Sequence, residues 1–269
     1  MIDNQSQPLV TVVVPVYNGG KFIDKCLNSL SNQTYKNLEI IVVNDGSSDN
    51  SEKIIKKYPV KLITHEKNSG LSASRNTGID AATGEYIHFM DVDDSINEVY
   101  YEAMVEAAVS TGADVACGGM IHEKNRYKTQ RFNTKDVFVS TKDKLTATYV
   151  GKWGFVWRYL FRLNFLKENN LRFEEGRFIE DLPFSVPAVY FANKVVTVPK
   201  AEYYYYYSPN SILNNKDKAH QEKRRRDLTH ANQQILAFAG KHNFKIPGIN
   251  AGKMRYILRK IYYNFIVKP

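Results

Sequence analysis

The chain has 269 residues, of which 43% are hydrophobic, and its formal net charge is +9. This length fits one large domain, or one domain with an appendage, and the composition is sufficient for a sizeable core. The two cysteines, Cys26 and Cys117, lie far apart in the sequence, which argues against a disulfide framework or a zinc site.

A basic chain suits an anionic partner, which could be nucleic acid, membrane phospholipid or a phosphate-bearing substrate. A lysine-rich surface without a special partner explains the charge equally well. Met1–Pro8 is polar and does not resemble a signal peptide. Because no stretch approaches the roughly 18 apolar residues of a membrane span, we expect a cytoplasmic protein that could rest on a membrane surface.

Short apolar runs alternate with segments of helical spacing in the first half of the chain. Each apolar run is typical of a strand that is buried on both faces. The predicted strands are Leu9–Val16, Leu38–Val43, Val60–Thr64 and Tyr86–Met90. The predicted helices run from about Phe22 to Leu30, from the Ser47–Asp49 cap to about Lys57, and over Leu71–Ala82. This alternation predicts a mostly parallel, three-layer α/β sheet.

The second half of the chain has a looser pattern. Ile121–Lys144 is polar and predicts either an edge hairpin or a loop. Trp153–Leu166 is aromatic and basic, and its rings are typical of a core, although aromatic rings also stack on sugars. From about Lys216 the chain is predicted to be helical, and it ends in the aromatic stretch Tyr256–Phe265. The basic run Lys223–Arg226 is typical of a solvated helix face, with an anionic membrane as the alternative partner.

Polar side chains directly follow three of the predicted strands. Tyr17 and Asn18 follow the first strand, Asp45 follows the second, and Asp91–Asp94 follows the fourth. Ligands of open α/β sheets bind beyond the carboxyl ends of the strands, because those ends meet at one edge. We therefore expect these groups to converge on one ligand.

Asp91, Asp93 and Asp94 place three carboxylates within four residues, and like charges this close repel one another. A hard cation such as Mn²⁺ or Mg²⁺ relieves that repulsion and bridges to phosphate oxygens. The alternative is a helix N-terminus, where acidic residues are favoured by the helix dipole. The two interpretations are compatible, and the position after a buried strand favours the metal site.

Three further groups carry two interpretations each. Asp45 could accept a hydrogen bond from a nucleotide base, or it could belong to an ordinary capped turn. Arg75 lies among small residues and could bind phosphate, or it could form a surface salt bridge. Glu180 and Asp181 lie between aromatic residues, where partial desolvation raises a carboxylate pKa towards that of a useful base. Their alternative is a helix cap, with Pro183 in the first turn.

Four segments stand in a fixed order over residues 8–118: Val12–Asn18, Glu39–Asp49, Asn68–Asn76 and Phe89–Asp94. Together they resemble family 2 glycosyltransferases of the GT-A fold. The resemblance continues more loosely to about residue 213. This looser part contains Val156–Arg162, Glu180-Asp181 and Pro209–Ile212.

The resemblance implies a GT-A, Rossmann-like central sheet that is mostly parallel and flanked by helices, with a helical C-terminal extension. Residues 1–213 would form the transferase domain, with a nucleotide-sugar-binding half at 8–118 and an acceptor-side half at 119–213. Residues 214–269 would form a basic, aromatic extension. The implied donor-site residues are Pro15, Val16, Tyr17, Asn18, Asp45, Arg75, Asp91, Val92 and Asp93.

The implied activity is an inverting transfer of a sugar from a nucleoside-diphosphate donor to a hydroxyl of a saccharide or lipid-linked saccharide. Uridine is the expected nucleoside. Asp93 would hold Mn²⁺ or Mg²⁺ on the diphosphate, and Asp91 would touch the ribose. Asp181 would be the catalytic base, with Glu180 beside it. The implied setting is cell-surface polysaccharide biosynthesis, with no nucleic-acid partner.

Two segments depart from the family pattern. Arg158-Tyr159 stands where an Asn-Lys pair is frequent, and Tyr204–Tyr207 stands where an Arg is frequent. A sugar-phosphate nucleotidyltransferase is the alternative enzyme, but the loop Tyr17–Lys21 is too short and insufficiently basic for its phosphate loop. A basic nucleic-acid-binding module is the alternative from another class, and it does not explain carboxylates at strand ends.

Overall fold

The computed structural model describes residues 7–124, 129–207 and 215–247 of the chain. The strands in these ranges are β1 (Val10–Val16), β2 (Leu38–Asn44), β3 (Lys61–Thr64), β4 (Tyr86–Phe89), β5 (Ser95–Ile96), β6 (Val115–His122), β7 (Val137–Phe138), β8 (Tyr159–Arg162) and β9 (Val195–Tyr205). The helices are α1 (Gly20–Ser31), α2 (Ser51–Ile55), α3 (Leu71–Ala81), α4 (Tyr100–Thr111), α5 (Thr141–Thr148), α6 (Leu163–Glu168), α7 (Asp181–Phe191) and α8 (Lys218–Lys241).

One mixed sheet contains all the described strands, in the order β3-β2-β1-β4-β8-β6-β9-β5, with β7 paired to β9. β3, β2, β1 and β4 run parallel to one another. β8 is antiparallel to both β4 and β6, while β6 and β9 are parallel to each other. β5 and β7 run antiparallel to β9. Because most strands therefore point the same way, the predicted mostly parallel α/β sheet is confirmed.

β1 is the centre of the fold, and all seven of its residues are buried. Alternate side chains enter two different cores, since Val12 and Val14 pack in one cluster and Val13 in the other. The first cluster is completed by α1 and α4, and the second by α3, α7 and α8. Gly78 of α3 lies so close to β1 that an added Cβ would be 2.2 Å from Val13 Cγ1. This burial on both faces explains the continuous apolar run in the sequence.

The first four predicted strands agree with the structure to within one residue at each end. The predicted second helix was too long, because α2 begins only at Ser51. Asp49 does not start it: its carboxylate accepts hydrogen bonds from the backbone N–H of Ser51 and of Gly20, at 2.9 and 3.0 Å. The prediction of a hairpin or loop over Ile121–Lys144 missed the start of α5, which Ser140 caps by accepting from the Asp143 N–H.

The basic C-terminal segment is helical as predicted, and α8 packs on α7. Ile235 and Ala239 of α8 are buried in the second core. Arg225 and Arg226 are exposed, whereas Lys223 pairs with Asp227 at 2.7 Å. Contact of this run with an anionic membrane stays a prediction. Within the described ranges, no helix has the length and apolarity needed to cross a membrane.

Three sequence predictions fall outside the described residues. They are the Pro209–Ile212 element, the domain boundary after residue 213 and the aromatic stretch Tyr256–Phe265.

Candidate active site

The three polar motifs that follow strands lie on neighbouring strands of the sheet. β1 lies between β2 and β4, and all three run parallel. Their carboxyl ends therefore bring Tyr17, Asp45 and Asp91 to one edge, as the sequence predicts. Tyr17 is 53% exposed at this edge, so its ring is available to a ligand.

The loops after β1 and β2 are tied together by hydrogen bonds. The Asn18 N–H donates to Ser47 Oγ at 3.0 Å, and Asn18 Oδ1 accepts from the Ser48 N–H at 2.9 Å. The Gly19 N–H donates to Ser51 Oγ at 3.0 Å. Asn18 adopts a left-handed backbone with φ 48°, which asparagine tolerates better than most residues. Asn18 thus shapes the pocket edge and leaves Tyr17 outside this network.

Asp45 is buried and already has several partners. Its carboxylate accepts from the backbone N–H groups of Ser69 and Gly70, each at 2.8 Å, and contacts His65 Nδ1 at 2.8 Å. These bonds fix the loop that leads into α3. A carboxylate has about four acceptor positions, so Asp45 keeps room for one further hydrogen bond. Its contact with a nucleotide base stays a prediction.

Arg75 is the centre of a buried ionic network at this edge. The guanidinium is 1% exposed and lies 2.9 Å from Asp91, 2.8 Å from Asp181 and 2.5 Å from Glu180. Although burial opposes a charge, Asp181, Asp91 and Glu180 raise the pKa of Arg75 well above its usual range. The alternative of a surface salt bridge is therefore wrong. Arg75 instead joins two acidic motifs that lie about ninety residues apart in the sequence.

Glu180 and Asp181 share the Arg75 guanidinium but differ in exposure. Glu180 is buried, and its Oε2 has no hydrogen-bond partner. Burial and the charge of Asp181 raise the pKa of Glu180 to about 8, against the opposing effect of Arg75. The Asp181 side chain is 20% exposed. Burial raises the pKa of Asp181 as well, and Arg75 opposes this rise.

The alternative of a helix cap holds only in part for this acidic pair. α7 begins at Asp181, with Pro183 in its first turn, as the sequence predicts. Glu180 occupies the N-cap position, but its side chain makes no capping hydrogen bond. The two carboxylates therefore serve the Arg75 network more than the helix end.

Asp93 and Asp94 differ in what surrounds them. Burial, and then the charge of Asp91, raises the pKa of Asp93 to about 6. Asp94 is completely buried, and one of its oxygens accepts from the Tyr206 N–H at 2.9 Å. Burial, then Asp93 and Asp91, raises the pKa of Asp94 well above its usual range. Because the next helix starts only at Tyr100, the alternatives of a helix N-terminus and of Asp94 as a capping acid are wrong.

The acidic cluster suits a cation that is held together with a substrate. The described residues contain no group of three or more His, Cys, Asp or Glu that could hold a metal ion by themselves. Mg²⁺ in phosphate-handling enzymes takes only one or two carboxylates and completes its shell with phosphates and water. The crowded Asp91 and Asp93, and the unpartnered Oδ2 of Asp94, fit a site of that kind. Val92 lies between Asp91 and Asp93 in the sequence. A Cβ added at Gly19 would be 3.2 Å from the Cγ1 of Val92.

The positions of the tyrosines at the end of β9 and directly after it could not be predicted from the sequence motifs. Tyr203 is completely buried, and its hydroxyl accepts the Asp91 N–H at 3.1 Å. Tyr204 and Tyr206 instead line a cavity of about 490 Å³ beside α1, together with Lys25 and Asn32. Successive side chains of a strand point to opposite faces of the sheet, so Tyr203 and Tyr204 lie on different sides. The run Tyr203–Tyr207 in the sequence indicates this alternation.

Comparison with known proteins agrees with this geometry. The model of Glycosyl transferase family 2 matches residues 11–177. The chain belongs to glycosyl transferase family 2. It is 36% identical over 217 residues to the uncharacterized glycosyltransferase EpsJ of Bacillus subtilis, covering 76% of this chain and 63% of EpsJ. The chain thus spans less than two-thirds of that relative.

Solved structures confirm the GT-A fold. The structure of S. aureus TarS 1-349 in complex with UDP-GlcNAc matches with a TM-score of 0.73 and 26% identity, over 85% of this chain and 66% of TarS. The mannosyltransferase PcManGT from Pyrobaculum calidifontis, in complex with GDP-Man and Mn²⁺, matches with a TM-score of 0.59 and 16% identity. That match covers 97% of this chain and 71% of PcManGT, and it concerns the fold alone.

Proposed function

We propose that the protein is an inverting glycosyltransferase that moves a sugar from a UDP-sugar to a hydroxyl of a saccharide or lipid-linked saccharide. The observation that carries this proposal is the Arg75 network. It joins Asp91, at the predicted donor edge, to Asp181, the predicted base. The TarS structure with UDP-GlcNAc supports a uridine nucleotide. The setting that we propose is cell-surface polysaccharide biosynthesis.

The donor would bind along the carboxyl ends of β1, β2 and β4. Pro15 and Val16 end β1, and the exposed ring of Tyr17 would stack on the base. Asp45 would accept a hydrogen bond from the base with its remaining acceptor position. Asp91 and Val92 would contact the ribose and the neighbouring sugar. Arg75 would act behind this surface, because its guanidinium is occupied by three carboxylates.

Asp93 would hold Mn²⁺ or Mg²⁺ together with the diphosphate. The bound ion would supply positive charge to the phosphate oxygens that gain negative charge as the sugar leaves. Asp93 suits this position because burial and the charge of Asp91 disfavour an ionised Asp93 carboxylate that has no cation beside it. A cation bound with the diphosphate would offset both effects. The Mn²⁺ in the PcManGT structure supports a divalent cation in this fold.

Asp181 would accept the proton of the acceptor hydroxyl. Arg75 and the Val156 N–H favour its ionised form, and its partial exposure lets an acceptor reach it. The acceptor oxygen bonds to the anomeric carbon from one side. The bond to the phosphate oxygen breaks on the other side, and its electron pair leaves with the diphosphate. A single displacement of this kind inverts the anomeric centre without a covalent intermediate on the protein.

Binding of UDP in the presence of Mn²⁺ tests this proposal. We expect UDP with MnCl₂ to raise the melting temperature of the wild type, and EDTA to remove that rise. Asp93→Ala should abolish the Mn²⁺-dependent part, because the carboxylate that would hold the cation on the diphosphate is lost.

The matched control is Asp80→Ala, because Asp80 is exposed and pairs with Arg172 on the surface. This variant should respond to UDP like the wild type. The proposal would be refuted if neither UDP nor other nucleoside diphosphates at millimolar concentration raised the melting temperature of the wild type. Release of pyrophosphate from a nucleoside triphosphate and a sugar phosphate would favour the nucleotidyltransferase instead.

A further inference from the structure

A ladder of aromatic rings lies beside the acidic cluster. We define the aromatic ladder as Trp153, Phe155, Trp157, Tyr203 and Tyr205. The Phe155 and Trp157 rings are stacked at 5.0 Å between centroids, and Trp157 stacks on Tyr203 at 4.2 Å and on Tyr205 at 5.9 Å. Trp153 continues the series, with its centroid 6.0 Å from that of Phe155.

The aromatic ladder is connected to the donor edge by a hydrogen bond. The Tyr203 hydroxyl accepts the backbone N–H of Asp91 at 3.1 Å. The backbone N–H of Val156, between Phe155 and Trp157 in the sequence, lowers the pKa of Asp181 and therefore lies near its carboxylate. The chain segment that carries Phe155 and Trp157 thus passes the proposed base.

Gly154 lies between Trp153 and Phe155 of the aromatic ladder and packs against the start of α7. A Cβ at this position would lie 2.6 Å from Leu182 Cδ2, a distance that real Cβ atoms do not reach. Only a glycine lets the backbone between Trp153 and Phe155 come this close. Because Leu182 follows Asp181 directly, the backbone that carries Trp153 and Phe155 lies against the start of the helix that begins with the base.

The aromatic ladder has a buried part and an accessible part. Trp157 and Tyr203 are buried and belong to the core. Trp153, Phe155 and Tyr205 are only half-buried and pack on that core from outside. Core packing accounts for the first pair. It accounts for only part of the surface of Trp153, Phe155 and Tyr205, whose remaining ring surface is open to a ligand.

We propose that Trp153, Phe155 and Tyr205 bind the sugar ring of the acceptor and hold its hydroxyl at Asp181. This inference rests on the proposed function and adds the class of acceptor. The C–H face of a pyranose is apolar while its rim is polar, so it suits an aromatic platform that borders a carboxylate. The acceptor is then a saccharide, rather than a plain lipid alcohol or a protein side chain.

Intrinsic fluorescence tests this proposal, because Trp153 and Trp157 are the two tryptophans of the whole chain. The probes are the methyl β-glycosides of glucose, galactose, N-acetylglucosamine and rhamnose, titrated with UDP and MnCl₂ present. We expect at least one glycoside to change the emission saturably at millimolar concentration. Phe155→Leu keeps both reporters and should weaken that glycoside about 10-fold. Trp153→Leu, read through Trp157, serves as the second variant.

Two controls separate this site from other places where a sugar could bind. Phe191→Leu changes an exposed ring at the far end of α7, ten residues and therefore about 15 Å from Asp181, and should bind the glycoside like the wild type. Asn32→Ala alters the cavity beside α1 and should also have no effect. Weakening by Asn32→Ala with full binding in Phe155→Leu would place the sugar in that cavity and overturn the inference.

The inference and the proposed function fail in different ways. If UDP stabilises the protein but no glycoside changes the emission, the saccharide platform is refuted and the transferase stands. If UDP with Mn²⁺ does not bind either, both proposals are refuted. Full binding by Phe155→Leu and Trp153→Leu would also overturn the platform.

Discussion

Two networks of charged side chains in this protein differ in their charge balance. In the Arg75 network, one guanidinium faces three carboxylates, all buried or partly buried. The members are Arg75, Asp91, Glu180 and Asp181. The excess of negative charge and the burial together raise the pKa of Glu180 and of Asp181.

In the Asp227 network, beneath α8, one buried carboxylate faces two cations. Asp227 accepts from Lys223 at 2.7 Å, from Arg177 at 3.0 Å and from the Phe178 N–H at 3.1 Å. Although burial opposes it, these partners lower the pKa of Asp227. A network built only for stability satisfies its charges in this way. The unbalanced Arg75 network keeps carboxylates at raised pKa, which is the pattern expected where protons or cations are exchanged.

The largest expected effect is a difference in stability between a variant of the Arg75 network and a variant of the Asp227 network. Arg75→Met leaves three carboxylates without their shared cation, so the free energy of unfolding should fall by about 3–5 kcal/mol. Urea denaturation at pH 7.5 measures it. The matched control is Asp227→Asn, which removes one charge from the other network and leaves half-exposed cations that water can reach. This variant should lose less stability and keep its UDP binding. Equal losses of unfolding free energy in the two variants would contradict the distinction between the two networks.

A smaller effect is expected in the pH dependence of stability. The pKa of Glu180 is raised from 4.5 to about 8 in the folded protein, so between these values the folded state binds more protons than the unfolded state. Its contribution is complete below pH 4.5 and is lost as the pH rises through 8. The free energy of unfolding of the wild type should therefore fall, relative to that of Glu180→Gln, between pH 5 and 8.

Asp227→Asn is the control for this pH dependence. Although burial opposes it, Lys223, the Phe178 N–H and Arg177 lower the pKa of Asp227, whose contribution is thus lost only at acid pH, and both cations stay charged between pH 5 and 8. The difference between the wild type and this variant should not fall between pH 5 and 8. Parallel pH curves for the wild type and Glu180→Gln would contradict the raised pKa.

The strand ends could be predicted from the sequence, but their connections could not. Val10–Val16 reads as a strand because consecutive apolar residues fit a sheet covered on both faces. The contact of Arg75 with Asp181 spans 106 residues, and no local periodicity records a separation of that kind. Asp94 was misassigned because acidic residues after a strand look alike whether they cap a helix or bond a distant backbone N–H. The distant N–H that Asp94 accepts belongs to Tyr206, which directly follows β9 in the sequence.

The measurement that tests the account most directly is the turnover of Asp181→Asn beside its donor binding, in the same samples. Asparagine keeps the size of the side chain but cannot accept the acceptor proton. We expect kcat to fall at least about 100-fold, while the affinity for UDP with Mn²⁺ stays within about twofold of the wild type. Wild-type turnover in Asp181→Asn would contradict the assignment of Asp181 as the base of this transferase.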